Sequence, residues 1–371
     1  DSEGHLVICL RHSNGFSSVV QYDPIFDSVV WSHTYMNVAA VTSIHEYNSE
    51  YILLGQQNRC SEAVISKINK LNGVVVEKYS YRLLGCTSFM DSKIIGDELK
   101  IFGRHNLQSG GQNGFRAAYT EIGLSDLTVR NSYHYFNSAS AMARQGFIKS
   151  TIRESSIYVV GYGSPNDDIV RNYLGMVAKF DLEGNLIWAK ELDNLTGNQE
   201  TLYDCHYVDD TLYVIGLVDE NSISTKYQVL RLDTFGYLID AYNLNIENVQ
   251  RNWLRWSNDN RLNSDIFITN GLESNGFIIS FDTRDFYNNN SFFEFEPAPF
   301  RVSDLPLLRY PHSLNRIPGT YNLVDDTVYP VDSNETFKLT SCHSVKSFSP
   351  GPFFALFCAT VRLSAVNLLA N

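Results

Sequence analysis

Apolar and polar positions alternate along this chain in short runs, and the runs break at corners built from Asp, Asn and Gly. The stretch KFDLEGNLIWAKEL (179–192) shows the unit: an alternating segment, a D-x-x-G corner, then a second apolar segment through Trp188. Period-two alternation is the mark of a half-buried strand, and an Asx residue followed by glycine suits a tight corner between two strands. Related units are SKINKLNGVVVEK (66–78), LRLDTFGYLIDAY (230–242), ISFDTRDFYNNN (279–290), VQYDPIFDSVVW (20–31) and the degenerate YTEIGLSDLTV (119–129).

A second element precedes these corners. It reads SEYILLG to Gly55, DELKIFG to Gly103, SSIYVVG to Gly161 and DTLYVIG to Gly216, with weaker copies ending at Asn270 and Asp332. Successive end points differ by 48, 58, 55, 54 and 62 residues, and GHLVICLRH at the start reads as a further copy. Repeats of this length with three or four short strands each, and no helical periodicity between them, predict an all-β fold of the β-propeller type. The expected architecture is seven blades of four antiparallel strands, with residues 1–299 forming blades one to six. Residues 300–371 would form a divergent seventh blade plus a ring-closing C-terminal strand. The first copy lacks an inner strand, and PFFALFCATVRL is a spare apolar strand able to supply it, which would remove both open edges. A β-sandwich or a pair of them is the competing architecture.

These units resemble the quinoprotein-type repeats of pyrroloquinoline-quinone-dependent dehydrogenases and the seven-bladed propeller repeats of secreted and surface proteins. The resemblance implies architecture, and propellers host unrelated activities. Quinoprotein enzymes carry a docking tryptophan in most blades, whereas here Trp31 and Trp188 alone fall after corners, where they are expected to pack between adjacent blades.

Composition agrees with sheet: 44% hydrophobic, 13% aromatic with 22 Tyr and 22 Phe, and 19% charged. A net charge of −12 argues against a nucleic-acid partner, since phosphate binding needs clustered Lys and Arg. The most apolar segment, GPFFALFCATVRLSAVNLLAN, is interrupted by Arg362 and Asn367 and reads as a buried strand rather than a membrane span. The opening DSEGHLVICL lacks Met and a leader pattern, and is read as a processed N-terminus. Six cysteines without C-x-x-C suit disulfides in an oxidising compartment. Cys9 with Cys358 would lock the ring, Cys342 with Cys358 competes, and Cys60 with Cys86 is a further pair. Sequons at Asn194, Asn289 and Asn334 lean the same way, toward an extracellular or cell-surface glycoprotein.

Catalytic signatures are sparse. His45 and His206 fall on predicted inner strands, the latter beside Asp204, Cys205, Asp209 and Asp210, but no H-x-H or H-x-x-x-H spacing exists and a structural role is the expectation. The oxygen-rich SPNDDIVRN (164–172) and WSNDNRLNSD (256–265) could hold Ca2+, though neither matches a calcium loop; no other cofactor is expected. NLQSGGQNGFR (106–116) is glycine-rich without the GK[ST] ending, so it reads as a mobile connection, and no G-x-S-x-G elbow occurs. Three runs mix rings with amides, at 131–137, 252–260 and 285–297, and suit sugar stacking or protein contact. The expected function is therefore a non-catalytic structural or adhesive scaffold that contacts other copies, surface proteins or glycans, with self-assembly into a polymer as its sharper form. The alternatives are a carbohydrate hydrolase or lyase using carboxylates at the channel mouth, and a monomeric glycan-binding module.

Overall fold

The computed structural model describes residues 1–11, 17–35, 38, 40–57, 62–82, 86–109, 112–137, 144–163, 173–195, 199–220, 224–245, 253–256, 261–270, 273–282, 294–311, 314–318 and 323–324. Among them every regular element is a strand, and all strand pairs are antiparallel. The first sheet holds β1 (Leu6–Arg11), β2 (Ser17–Asp23) and β3 (Ser28–Tyr35); the second β4 (Ala40–Tyr47), β5 (Glu50–Gln57), β6 (Glu62–Asn69) and β7 (Val75–Arg82). The third holds β8 (Thr87–Ile95), β9 (Glu98–Ser109), β10 (Gln112–Gly123) and β11 (Val129–Asn137). The fourth holds β12 (Gln145–Arg153), β13 (Ser156–Gly163), β14 (Leu174–Asp181) and β15 (Leu186–Asp193). In the fifth are β16 (Gln199–Val208), β17 (Thr211–Glu220), β18 (Ser224–Leu232) and β19 (Leu238–Asn245), and in the sixth β20 (Trp253–Trp256), β21 (Arg261–Asn270) and β22 (Glu273–Asp282). The described residues thus form six sheets where the repeats predict seven blades, and the segment 325–371 lies outside them.

The repeat glycines have a steric cause. Each first strand of the second to fifth sheets bulges at one place, at Val41/Ser43, Phe89/Asp91, Phe147/Lys149 and Leu202/Asp204. Opposite the residue before the bulge stand Gly55, Gly103, Gly161 and Gly216. A Cβ at Gly103 or Gly161 would run into the backbone carbonyl of Ser88 or Gly146, and one at Gly55 would sit 2.7 Å from Ala40 O. At these three sites the bulge brings backbones together as it tightens the twist, and only glycine admits that approach, whereas a Cβ at Gly216 would meet the Leu202 side chain at 2.9 Å with Thr201 O at 3.5 Å.

The corners are equally determined. Gly73, Gly184 and Gly236 have φ of +67°, +78° and +80°, and where the glycine is lost Asp27 and Leu127 take φ of 50° and 51°. The corner Asx side chain bonds the turn backbone, as when Asp233 Oδ1 accepts from Phe235 N at 2.9 Å and Tyr237 N at 2.8 Å. The corners of the second, third and fourth sheets also rest on the preceding sheet: Tyr35 donates to Gly73 O at 2.7 Å, Tyr81 to Leu127 O at 2.6 Å and Tyr135 to Gly184 O at 3.3 Å.

Between successive sheets lie separate apolar cores. Tyr51 and Leu53 of β5 face the first sheet, whereas Ile52 and Leu54 face the third. Such strands are buried on both faces, which is why SEYILLG and its relatives read as continuous apolar runs. Rings crowd the core between the third and fourth sheets, where Phe102, Tyr119, Tyr135, Phe147 and Phe180 pack at centroid distances of 5.2–6.1 Å.

Residues 294–324 take a course the repeat pattern does not predict. They form β23 (Glu294–Pro297), β24 (Arg301–Asp304), β25 (Leu307–Pro311), β26 (Asn315–Pro318) and β27 (Leu323–Val324). These short strands pair in turn with β19, β15, β11, β7 and β3, so the chain runs back past the fifth, fourth, third, second and first sheets and adds one outer strand to each. The described residues of 301–324, expected in a seventh blade, are here a belt along the outer edges. Edge pairing needs free backbone groups rather than a repeat pattern, and the outer strands present them.

Candidate functional site

The first strands β4, β8, β12 and β16 neighbour one another, and polar side chains at and just after their bulges bridge them. Thr42 Oγ1 donates to Phe89 O at 2.8 Å. His45 Nε2 lies 2.9 Å from Ser43 Oγ and 2.7 Å from Ser92 Oγ. Asp91, 1% exposed, accepts from Lys149 Nζ at 2.8 Å, Ser150 N at 2.8 Å and Ser150 Oγ at 2.7 Å, with Lys93 Nζ at 3.3 Å.

The electrostatics follow from these contacts. Burial by itself would raise the Asp91 pKa, but Lys93 and Lys149, with the bonds from Lys149 and Ser150, outweigh it and hold the carboxyl well below the usual range. Burial, reinforced by the Lys93 charge, pulls His45 down to about 4. A Ser–His contact is half of a nucleophile–base pair. This imidazole is a weak base at neutral pH, however, and the nearby carboxylate is bound to lysine and serine rather than to the ring. The cluster acts as a polar strut joining three sheets at their first strands.

His206 stands on β16 between two residues packed inward, and Asp209 and Asp210 form the tight turn that follows, with φ of 45° and 58°. Cys205 is buried, its sulfur 3.9 Å from the carbonyls of Lys149 and Tyr158, and burial holds its thiol pKa well above the ordinary value. Among the described residues, neither His45 nor His206 belongs to a convergent group of metal-ligand side chains. At the start of β16, Glu200 is 1% exposed; its Oε2 reaches Gly175 N only at 3.4 Å and its Oε1 has no partner. Burial, aided by the charge of Asp193, pushes its pKa up to about 8 against weaker opposing bonds from the Gly175 and Asn194 backbones.

The other residues singled out by sequence divide as follows. Trp31 Nε1 donates to Lys70 O at 2.9 Å with its ring beside Gly73, and the Trp188 ring lies 2.9 Å from the Cβ direction of Gly236. Each tryptophan therefore stands between its own sheet and the next. Cys9 is a free thiol, pushed up to about 11 by burial, and Cys86 lies 3.8 Å from Ser88 Oγ. No disulfide occurs among the described residues, and Cys60, Cys342 and Cys358 lie outside them. Asn194 is 1% exposed, so a glycan there has no room in this fold; Asn289 and Asn334 lie outside the described residues. The calcium candidate 164–172 is also outside them, and 256–265 is described only as backbone of β20 and β21. Most of 106–116 is the paired end of the β9–β10 hairpin, not a free connection. In 131–137, Tyr133 lies 3.5 Å under the Arg309 guanidinium and His134 stacks on Tyr310 at 5.7 Å, so two rings that suited a sugar hold the belt. The runs 252–260 and 285–297 are described only at 253–256 and 294–297.

The rim carries the features that repeat from sheet to sheet. The belt pairs with residues 34–35, 79–82, 133–137, 190–193 and 242–245, the trailing part of each outer strand. Among the described residues, the leading parts of these strands have no partner on that side. There and at the corners before them stand exposed apolar side chains: Ile25 (80%), Phe26 (78%), Leu71 (76%) and Phe235 (67%) at corner tips, with Val76 and Ile239 on the strands. The third sheet instead places the Asp126–Arg130 ion pair (3.0 Å) at its corner.

No family model matches the chain, and no curated protein matches it either.

Proposed function

We propose that this chain is a non-catalytic β-propeller scaffold that works through its rim, docking to further copies of itself or to surface proteins at an extracellular or cell-surface location. Adjacent first strands, and a separate core between each consecutive pair of the first to fifth sheets, support stacking of the sheets around an axis. In this reading the segment 325–371 supplies the seventh blade and the strand that the first sheet lacks.

One observation carries the functional reading: exposed aliphatic and aromatic side chains recur at equivalent corner and edge positions of the first, second and fifth sheets. Scattered apolar residues are ordinary on a surface, but a recurrent set beside unpaired strand edges suits docking of another protein. The self-satisfied polar strut and the weak base at His45 favour a structural over a catalytic role. Negative-stain microscopy with light scattering on the purified chain tests the proposal. Ordered assemblies that dissolve in the Val76→Glu and Ile239→Glu variants are expected. A strictly monomeric chain across the accessible concentration range rules out assembly, and a glycan array would then be the next measurement.

A further inference from the structure

The segment before β1 folds back on the first and second sheets and brings unlike polar groups together. The Asp1 carboxylate is fully enclosed; Tyr51 donates its hydroxyl to Oδ2, and the Glu3 and His5 amides bond Oδ1 at 3.0 and 2.9 Å. His5 Nδ1 lies 3.4 Å from Asp1 Oδ2 and 3.6 Å from Glu3 Oε2. These three side chains are the one convergent group of ligand-type atoms among the described residues.

Gln21 supplies an independent observation. It is 1% exposed, and its carbonyl oxygen has no hydrogen-bond partner. Its amide nitrogen meanwhile faces three groups, Asp1 Oδ2 at 2.9 Å, His5 Nδ1 at 2.9 Å and the Tyr51 hydroxyl at 3.1 Å, with only two hydrogens to offer. An amide's two ends have nearly the same shape. Turned about, Gln21 places its partnerless oxygen 2.9 Å from both Asp1 Oδ2 and His5 Nδ1.

We infer that Asp1, Glu3, His5 and the Gln21 carbonyl form a binding site for a divalent transition-metal ion of the Zn2+ class. Bonds of about 2.0–2.2 Å to N and O ligands give ligand–ligand edges of about 2.8–3.1 Å in an octahedron and about 3.3–3.6 Å in a tetrahedron. Four of the six ligand–ligand separations, at 2.9, 2.9, 3.4 and 3.6 Å, fall in that span, and the Asp1, Glu3 and His5 atoms all lie within 4.8 Å of one another. An imidazole nitrogen among carboxylate oxygens favours such an ion over Ca2+, which takes oxygen ligands alone. His5 Nε2 lies 3.7 Å from Asp23 Oδ2, the kind of carboxylate that orients a metal-bound imidazole from behind.

Lys70 is the competing cation. Its Nζ is bound to Glu46 at 2.6 Å and lies 3.4 Å from Glu3 Oε1 and 3.9 Å from Asp1 Oδ2, which leaves Glu3 Oε2 to the site. Four carboxylates (Asp1, Glu3, Asp23, Glu46) face one side-chain cation, Lys70. Carboxylates thus outnumber the side-chain cation, and the local excess of negative charge favours a bound cation.

The test is calorimetric titration of the chelator-stripped chain with ZnCl2, paired with thermal unfolding at each ratio. One equivalent is expected to bind and to raise the unfolding temperature. His5→Ala and Glu3→Gln should each weaken binding about tenfold or more, as loss of a ligand does, and the exposed Glu154→Gln should leave it unchanged. Glu3 is 53% exposed, so its variant is expected to fold. Absence of one-equivalent binding, binding that survives His5→Ala, or equal binding of Ca2+ would each overturn the inference. None of these readouts depends on whether the rim assembles.

Discussion

Replacing Glu200 by Gln should shift stability increasingly in the variant's favour as pH rises from acid to mildly alkaline, because the variant lacks the titration of the buried carboxyl. In the fold the carboxyl is raised from 4.5 to about 8, with burial as the main cause. Between those values the folded chain keeps a proton that the unfolded chain has released. Each step up in pH through that window therefore removes stability, and below it both states are protonated and the term is zero. At pH 7 the offset from 4.5 corresponds to about 3 kcal/mol at 1.36 kcal/mol per unit, and above pH 8 it levels off near about 5 kcal/mol. Glutamine has the same shape without the titration. Its NH2 adds donors where Oε1 has no partner, a cost on the order of 1–3 kcal/mol that does not change with pH. The informative quantity is thus the difference between the two chains as a function of pH. Urea unfolding of both at pH 4.5, 6, 7 and 8 should show a difference that grows by about 3 kcal/mol between the first and third points. A flat difference would refute the assignment of a protonated, buried Glu200.

Further outcomes follow from the same geometry. Gly161→Ala forces a Cβ against Gly146 O and should cost about 3 kcal/mol or more in urea unfolding, whereas Gly96→Ala, open all round at φ +58°, should cost only about 1–2 kcal/mol. Asp91→Asn should flatten the acid limb of the stability curve. The depressed carboxyl contributes stability above its unfolded value of 3.8 that is lost as pH falls through the folded one, so thermal unfolding between pH 2 and 5 should become less steep. A chain ended at residue 293 loses the belt and should aggregate on light scattering, because the trailing edges of five outer strands become unpaired.

How much of this was legible in the sequence depends on whether a contact imposes a pattern on its own strand. Gly55, Gly103, Gly161 and Gly216 recur because a bulge stands opposite each, and the corner residues recur because the turn needs left-handed backbone. Both leave a periodic trace. EFEP, RVSD and LLRYP leave none, since their pairing rests on backbone groups that every residue has. Pro297, Pro306, Pro311 and Pro318, standing at or beside the ends of these strands, were the available sign of edge pairing. Likewise the tyrosines at 35, 81 and 135, each near the end of an outer strand, form a short recurring signal that marks the corner latch. Asp91 and Lys149 lie 58 residues apart on different sheets, and Asp1 meets Gln21 through a fold-back. Neither spacing resembles a motif, so only the assembled sheets reveal the strut and the ligand cluster.

The reversed course of the belt also sets a timetable for synthesis. The fifth sheet receives its outer strand about 50 residues after its own, but the first must wait from Tyr35 to Leu323, which is 288 residues. At 5–20 residues per second that interval is roughly 15–60 s. During it the first sheet displays an unpaired strand beside Ile25 and Phe26, while the fifth is covered far sooner. The first sheet is thus, of the five that receive a belt strand, the one longest open to chaperones and to neighbouring ribosomes on the same message.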